Sequence, residues 1–294
     1  MAAPQSNIIN ALLDWLEDNL DQPLSLDDVA AKAGFSKWYL QRMFKYATGH
    51  NLGAYTRARR LSMAALALRV TSRPIQDIGT LYHFESQPIF GRAFKRQFAQ
   101  SPGSYRCAPD WPLSRFCPPI RLGAASLPKP DFIIMPEIHL VGVTKCYSCT
   151  LEQIDDFFHH DVRPHIWHKY LDKATTLPSV LYGLNCLVPG EKKRKGERDM
   201  IFQYTTAKEP DFLPDYFPKG QSVVIKRGIY AQFTYNGTAE GLQDFIILIY
   251  GTAMSNLGLT RRQGQDIEIF YPQPKQHPLG NYVFHCKYLI PIRH

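Results

Sequence analysis

The apolar positions change their rhythm along the chain. Ile8, Ile9, Leu12, Leu13, Leu16 and Leu20 recur at helical spacing, with Asp14, Glu17, Asp18 and Asp21 on the opposite side. That acidic side predicts a solvated face. Leu26–Ala33 reads as a short helix with Val29 and Ala30 at its packing face. Gly34 follows as a left-handed turn residue, Phe35 turns back to the core, and Ser36 caps the next helix. Leu40, Met43 and Phe44 then form one buried stripe. Further on, Leu61, Ala64, Ala65 and Leu68 mark a helix over about residues 54–70. Ile78 and Gly79, the turn His83-Phe84-Glu85, the cap Ser86 and the stripe Phe90, Ala93 and Phe94 repeat the earlier arrangement.

Two stretches match over an offset of 50 residues: Ser36 to Lys45 running on to Gly53-Ala-Tyr55, and Ser86 to Lys95 running on to Gly103-Ser-Tyr105. The common pattern, S-x5-R-x-F-K-x7-G-x-Y, predicts an internal duplication. Each copy has the short helix, turn and capped second helix of a helix-turn-helix unit. At 1.5 Å per residue, a linker helix of about 17 residues spans roughly 25 Å. With its flanking turns it can set two recognition helices near one DNA turn apart, about 34 Å. One chain could then enter two successive major grooves as a monomer.

Charge supports that reading. The formal net charge is +8, and its placement is uneven. Between Lys32 and Arg106 stand thirteen bases against two acids, Asp77 and Glu85. A block of this kind has the electrostatics of a polyphosphate binder. On the exposed side of the first unit, Trp38, Gln41, Arg42 and Lys45 can read base edges, pack on thymine methyls and grip phosphates. Ser36, Lys37, Arg57, Gln87, Arg92, Lys95 and Arg96 complete the expected DNA-binding set.

From residue 108 to 131 the chain is rich in proline and predicts a semi-extended linker. The expected division is 1–110 for an all-α domain with two helix-turn-helix units, 111–130 for the linker and 131–294 for an α+β domain. Beyond the linker, strand-like runs alternate with two helices. Thr150 to Phe157 matches Thr238 to Phe245 at an offset of 88, each Thr a candidate N-cap. Strand-like segments at about 132–145 and 223–235 precede these helices. Residues 180–187 and 200–207 follow the first, and 266–271 and 282–292 the second. Two β-α-β-β halves predict an antiparallel sheet with helices on one side.

The tandem units resemble the DNA-binding domain of AraC/XylS-type activators over roughly residues 8–106. Gln22-Pro-Leu-Ser-Leu-Asp-Asp-Val-Ala-Ala-Lys-Ala-Gly34 and Ser36 to Lys45 are most like its multidrug and oxidative-stress branch. In that branch the likeness to its two-domain form continues through Thr260-Arg-Arg-Gln-Gly-Gln-Asp-Ile-Glu268 and Leu289-Ile-Pro-Ile-Arg293, and the two β-α-β-β halves look like a GyrI-like effector-binding fold. The resemblance implies Trp38, Gln41 and Arg42 as major-groove readers, with Arg92 as counterpart in the second unit. It departs at Pro88 and Ile89, where polar residues are usual, so the second unit is expected to lean on phosphate or shape contacts. It further implies promoter DNA and RNA polymerase as partners, efflux and stress-defence genes as targets, and a small amphipathic effector of bile-acid, fatty-acid or bipyridyl type. The domain's aromatic surplus offers Tyr147, Trp167, Phe202, Tyr204 and Tyr250 as pocket walls or plain core. Glu268 matches a glutamate near the pocket in related domains; an exposed strand residue is the alternative.

Other chemistry finds little support. No G-x-S-x-G, G-x-x-x-x-G-K-[ST] or G-x-G-x-x-G motif occurs, so no enzyme activity and no cofactor are expected. Cys146-x-x-Cys149 lacks a second ligand pair, and Pro164 interrupts the helix that would align His165 and His168 with His159 and His160, so no metal is expected. No apolar run reaches the roughly 18 residues of a membrane span. The first residues lack a secretory pattern, which predicts a cytoplasmic, nucleoid-associated protein.

Overall fold

The computed structural model describes residues 3–120, 122, 128–149, 180–192, 198–210, 220–272 and 283–293. The chain divides into two units. The first comprises Met1–Ala108 and Ser114–Leu127, the second Pro109–Leu113 and Pro128–His294.

Unit 1 is helical: α1 (Ala3–Glu17), α2 (Leu26–Ala33), α3 (Lys37–Thr48), α4 (Leu52–Val70), α5 (Ile75–Leu81), α6 (Gln87–Phe98) and α7 (Pro102–Cys107). Local chemistry sets these boundaries. Ser25 and Asp28 form a reciprocal capping box at the start of α2: the Ser25 hydroxyl oxygen accepts from the Asp28 N–H at 3.1 Å, and the Ser25 N–H donates to the Asp28 carboxylate at 3.0 Å. Gly34 ends the helix in the left-handed region, φ +70°, and turns the chain into α3. The apolar stripe of α3 closes on α1 and α2 in one core with Ile9, Leu13, Leu16, Val29, Leu40 and Phe44. The second helix-turn-helix of unit 1 is built around aromatic rings: Phe90 meets Phe94 at 5.6 Å, and Phe94 meets Phe98 at 4.5 Å and Tyr105 at 5.4 Å. Between them α4 buries Leu61, Ala64, Ala65, Ala67 and Leu68, where small alanines allow close helix packing.

Unit 2 is an antiparallel sheet. Its strands are β1 (Trp111–Pro112), β2 (Asp131–Met135), β3 (Ile138–Cys149), β4 (Leu181–Lys192), β5 (Arg198–Lys208), β6 (Gln221–Ile225), β7 (Gly228–Thr238), β8 (Thr260–Arg261), β9 (Asp266–Pro272) and β10 (Val283–Arg293). Each expected run ahead of a helix is two strands, broken at Pro136-Glu137 and at Lys226-Arg227. The two halves trade their short leading strands: β2 pairs with β7 and β6 pairs with β3. They meet at the centre, where β4 lies against β9 with Gly183 opposite Glu268. Thr238 caps α8 (Ala239–Leu248), accepting from the Gly241 N–H at 3.3 Å. That helix continues as one π turn, Ile249–Ala253. The matching segment beginning at Thr150 lies outside the described residues, as do Trp167 and the four histidines.

The proline-rich stretch is shared out between the units. Trp111 and Pro112 pair with Arg261 and Thr260, and Asp110 binds Arg293 at 2.7 Å. A few residues later the chain is held by unit 1. The Cys117 N–H donates to Ser62, the Ile120 N–H to the Tyr55 hydroxyl, and Leu122 exchanges two hydrogen bonds with the Asn10 amide.

Candidate nucleic-acid interface and ligand-facing sheet

The outer face of α3 follows from its inner one. With Leu40, Met43 and Phe44 buried, helical geometry turns Trp38, Gln41, Arg42 and Lys45 outward, and all four are exposed. Ser36 accepts from the Tyr39 N–H at 3.3 Å and fixes the first turn. Trp38 is 67% exposed, and the Arg42 guanidinium lies 5.4 Å from its ring centre. That cation–π contact restrains two long side chains before any partner arrives. Lys37 is tied to Asp27 at 2.5 Å, so its charge is partly spent on α2. Tyr46, 77% exposed one turn beyond Arg42, extends this face. The same helical spacing that selects Trp38 and Arg42 selects it.

In α6, Gln87, Pro88, Ile89, Arg92, Lys95 and Arg96 are exposed over the buried Phe90, Ala93 and Phe94. Ser86 occupies the N-cap position but its side chain makes no cap hydrogen bond, in contrast to the sequence expectation. Arg92 and Arg96 border a cleft of about 610 Å³ whose other wall carries Arg57 of α4. Leu24, Leu52 and Ile89 contribute apolar surface to it. Arg57, Arg92 and Arg96 therefore share one cleft, while Ser36 to Lys45 form a separate face.

Four of the thirteen bases serve the fold. Arg59 is buried and grips Glu17 with both ends of its guanidinium, at 2.9 and 2.5 Å. The Tyr55 hydroxyl donates to the same carboxylate at 2.9 Å. Burial, reinforced by Glu17, pushes the Tyr55 phenol well above its ordinary pKa. Glu17 thus leaves the solvated acidic face to which its spacing assigned it. Arg60 donates to the Leu20 and Gln22 carbonyls, Arg69 to those of Tyr105 and Ala108, and Arg106 to those of Leu68 and Arg73. Burial lowers the pKa of Arg60 and Arg106.

On unit 2, Glu268 is fully buried, which overturns the alternative of an exposed strand residue. Its carboxylate accepts from the Tyr204 hydroxyl at 2.7 Å and from the Asn185 amide at 3.3 Å. Gly183 makes room for them: a Cβ there would stand 2.6 Å from Glu268 Oε2. Phe202 lies two residues from Tyr204 and stacks on it at 6.4 Å, and Tyr147 is the direct cross-strand neighbour of Phe202. Tyr147, Phe202, Tyr204 and Glu268 therefore share one sheet face. Asn185, which the sequence did not single out, joins them through its register with Tyr204 and Asp266.

Tyr250, expected as a pocket wall, is tied up in a neighbouring cluster. It donates to Asp266, which also accepts from Tyr288 at 2.8 Å and from Arg261 at 2.9 Å. Burial, then the Asp266 charge, raises the Tyr250 phenol pKa. The Trp111 ring lies 6.0 Å from that of Tyr250. Among the described residues no group of three or more His, Cys, Asp or Glu side chains is placed to hold a metal ion. No helix among them is long and apolar enough to cross a membrane.

Two family models match the chain: a helix-turn-helix domain over residues 29–108 and a GyrI-like small molecule binding domain over residues 128–293. The right origin-binding protein of Escherichia coli K12 is 51% identical over 293 residues, 98% of this chain and 99% of that protein. The transcriptional regulator Rob of Salmonella typhimurium is 50% identical over the same shares. The regulatory protein SoxS of Escherichia coli K12 is 52% identical over 99 residues, 34% of this chain and 92% of its own. Among solved structures, an AraC-type regulator from Chromobacterium violaceum aligns with 36% of this chain and 98% of its own, at 31% identity and a TM-score of 0.34.

Proposed function

The chain belongs to the AraC-type helix-turn-helix regulators that carry a GyrI-like domain, and on that premise we propose that it activates efflux and stress-defence promoters under control of a small ligand. It works as a monomer on asymmetric sites in the cytoplasm and recruits RNA polymerase there. The observation that carries this reading is the row Trp38, Gln41, Arg42 and Lys45, exposed together on a helix whose other side is wholly committed to the core. An exposed tryptophan restrained by an arginine has no packing role, whereas in a major groove both gain partners. Arg42 and Arg92 read bases, and Lys45, Lys95, Arg57 and Arg96 hold phosphates.

The experiment is competition between promoter duplexes and random DNA at fixed salt. A sequence-specific activator holds its sites against a large excess of random DNA; equal displacement by both would leave only a charge-driven DNA binder. Lys45→Ala should lower the salt slope of binding by about one.

The ligand reading centres on Glu268. A buried carboxylate bonded to Tyr204, on the sheet face that also carries Phe202 and Tyr147, suits an amphipathic molecule with a cationic or hydrogen-bond-donating head. Such a head would replace the Tyr204 or Asn185 hydrogen bond. Bile acids, fatty acids, bipyridyls and lipophilic cations form the test panel, read as melting of the full chain. A compound at 100 times its Kd stabilises by about 2.7 kcal/mol, and Glu268→Gln should remove the shift for a cationic compound. A second reading, a unit 2 that binds no ligand and works through protein contacts, draws on the internal donors Glu268 already has. It predicts no shift from any compound.

A further inference from the structure

The duplication sets the two recognition helices against each other position by position. Where α3 carries Trp38, Gln41, Arg42 and Lys45, α6 carries Pro88, Gly91, Arg92 and Lys95. Two polar or aromatic readers are gone, and an arginine and a lysine remain. Pro88 is exposed and Ile89 is 38% exposed beside it. Gly91 sits in the middle of a twelve-residue helix, where glycine is a poor choice. Nothing inside the protein asks for it, since a Cβ at Gly91 would meet no atom within 4 Å.

The fold would therefore accept a side chain at 91, and its absence leaves that part of the outer face open. Without a side chain at 91 the outer face of α6 is low, and the apolar Pro88 and Ile89 stand at its edge, Ile89 lining the same cleft as Arg57, Arg92 and Arg96. At the positions matching Trp38, Gln41 and Arg42, such a surface offers base edges one donor, Arg92. It can, however, approach a thymine C5 methyl, the apolar group that the major groove displays, to van der Waals distance.

We propose that α6 reads thymine through its methyl group, with Pro88 and Ile89 packed on the methyl over the low ground at Gly91 and Arg92 on an adjacent guanine. The inference rests on unit 1 being a two-groove DNA reader. It gives the second unit a thymine preference beside the guanine read by Arg92, where the loss of polar readers had suggested fewer base contacts and more phosphate or shape contacts.

The test starts with selection of sites from randomised duplexes by the full-length protein, followed by replacement of each thymine in the best site with deoxyuridine. The expected result is a thymine-containing block about one helical turn from the block lost in Arg42→Ala. Removing its methyl should weaken binding about fourfold, the worth of one buried methyl-sized group. Pro88→Gln should abolish that dependence while leaving the other block unchanged. Gly91→Gln, which copies Gln41, should shift the preference toward adenine. Melting of each variant checks that the fold persists, and both positions are at the surface. A second block without base preference, or one indifferent to deoxyuridine, overturns the inference and leaves the first unit's reading intact. Selection of no block at all overturns the two-groove reading itself.

Discussion

The two helix-turn-helix units share a core design and differ in what they show to the outside. Phe44 and Phe94 are each fully buried at matching places in the repeat, and Arg42 and Arg92 are each exposed. Around those constants the first unit carries Trp38 and Gln41, a side-chain cap at Ser36 and Gly49 at its left-handed C-terminus, φ +76°. The second has Pro88 and Gly91, a Ser86 without a cap bond and Ala99 at φ +61°. Duplication thus preserved the interior, which the fold needs in both places, while the outer face and the helix ends diverged separately.

The largest effects should show the equality of the cores. Phe44→Ala and Phe94→Ala should each cost about 3–5 kcal/mol in urea unfolding, because each empties a closed packing site. Unequal losses would mean that one unit's core carries the domain. Glu17→Ala should cost about 3 kcal/mol by leaving the buried Arg59 without its carboxylate. Its salt slope of DNA binding should stay unchanged, since Arg59 is spent on the fold.

The outer faces come next. Arg42→Ala should lose about 1–3 kcal/mol of discrimination at its own base, measured against mismatched duplexes. Arg92→Ala should do the same at a different base; a uniform loss over all sequences would demote either arginine to a phosphate contact. At the helix ends the signs diverge. Ala99→Gly should stabilise by about 1 kcal/mol by relieving a left-handed alanine, and Gly49→Ala should destabilise by a similar amount. Smallest of all is the cap comparison. Ser36→Ala should cost about 1 kcal/mol, whereas Ser86→Ala, which removes no cap bond, should fall within a few tenths.

Helical periodicity made unit 1 readable, because the stripes Leu40-Met43-Phe44 and Phe90-Ala93-Phe94 are local patterns set by 3.6 residues per turn. The uses of the arginines were not readable. A count of bases cannot separate Arg42 in solvent from Arg59, whose carboxylate partner lies 42 residues earlier. The burial of Glu268 was unreadable for a similar reason, and the sequence left the pocket and exposed-strand alternatives open. In Asp266-Ile267-Glu268-Ile269 strict alternation puts the acids on the wet side, yet both faces of this central strand are covered. Its partners Tyr204 and Asn185 are 64 and 83 residues away. Proline content marked residues 108 to 131 as a semi-extended stretch, but could not show that Trp111 would find a strand partner at Arg261.

That short strand has a consequence for anyone who divides the molecule. Residues 109–113 belong with the sheet, while the chain on either side of them belongs with the helices. A protease nick or a gene truncation placed anywhere from 109 to 127 therefore takes material from one unit and leaves it on the other. A fragment beginning at 121 would leave β8 with β10 but without β1, remove the Trp111 ring from Tyr250, and strip Arg293 of Asp110. The two modules are spliced rather than laid end to end. A graft that exchanges one of them for a foreign domain has to carry the five borrowed residues with it.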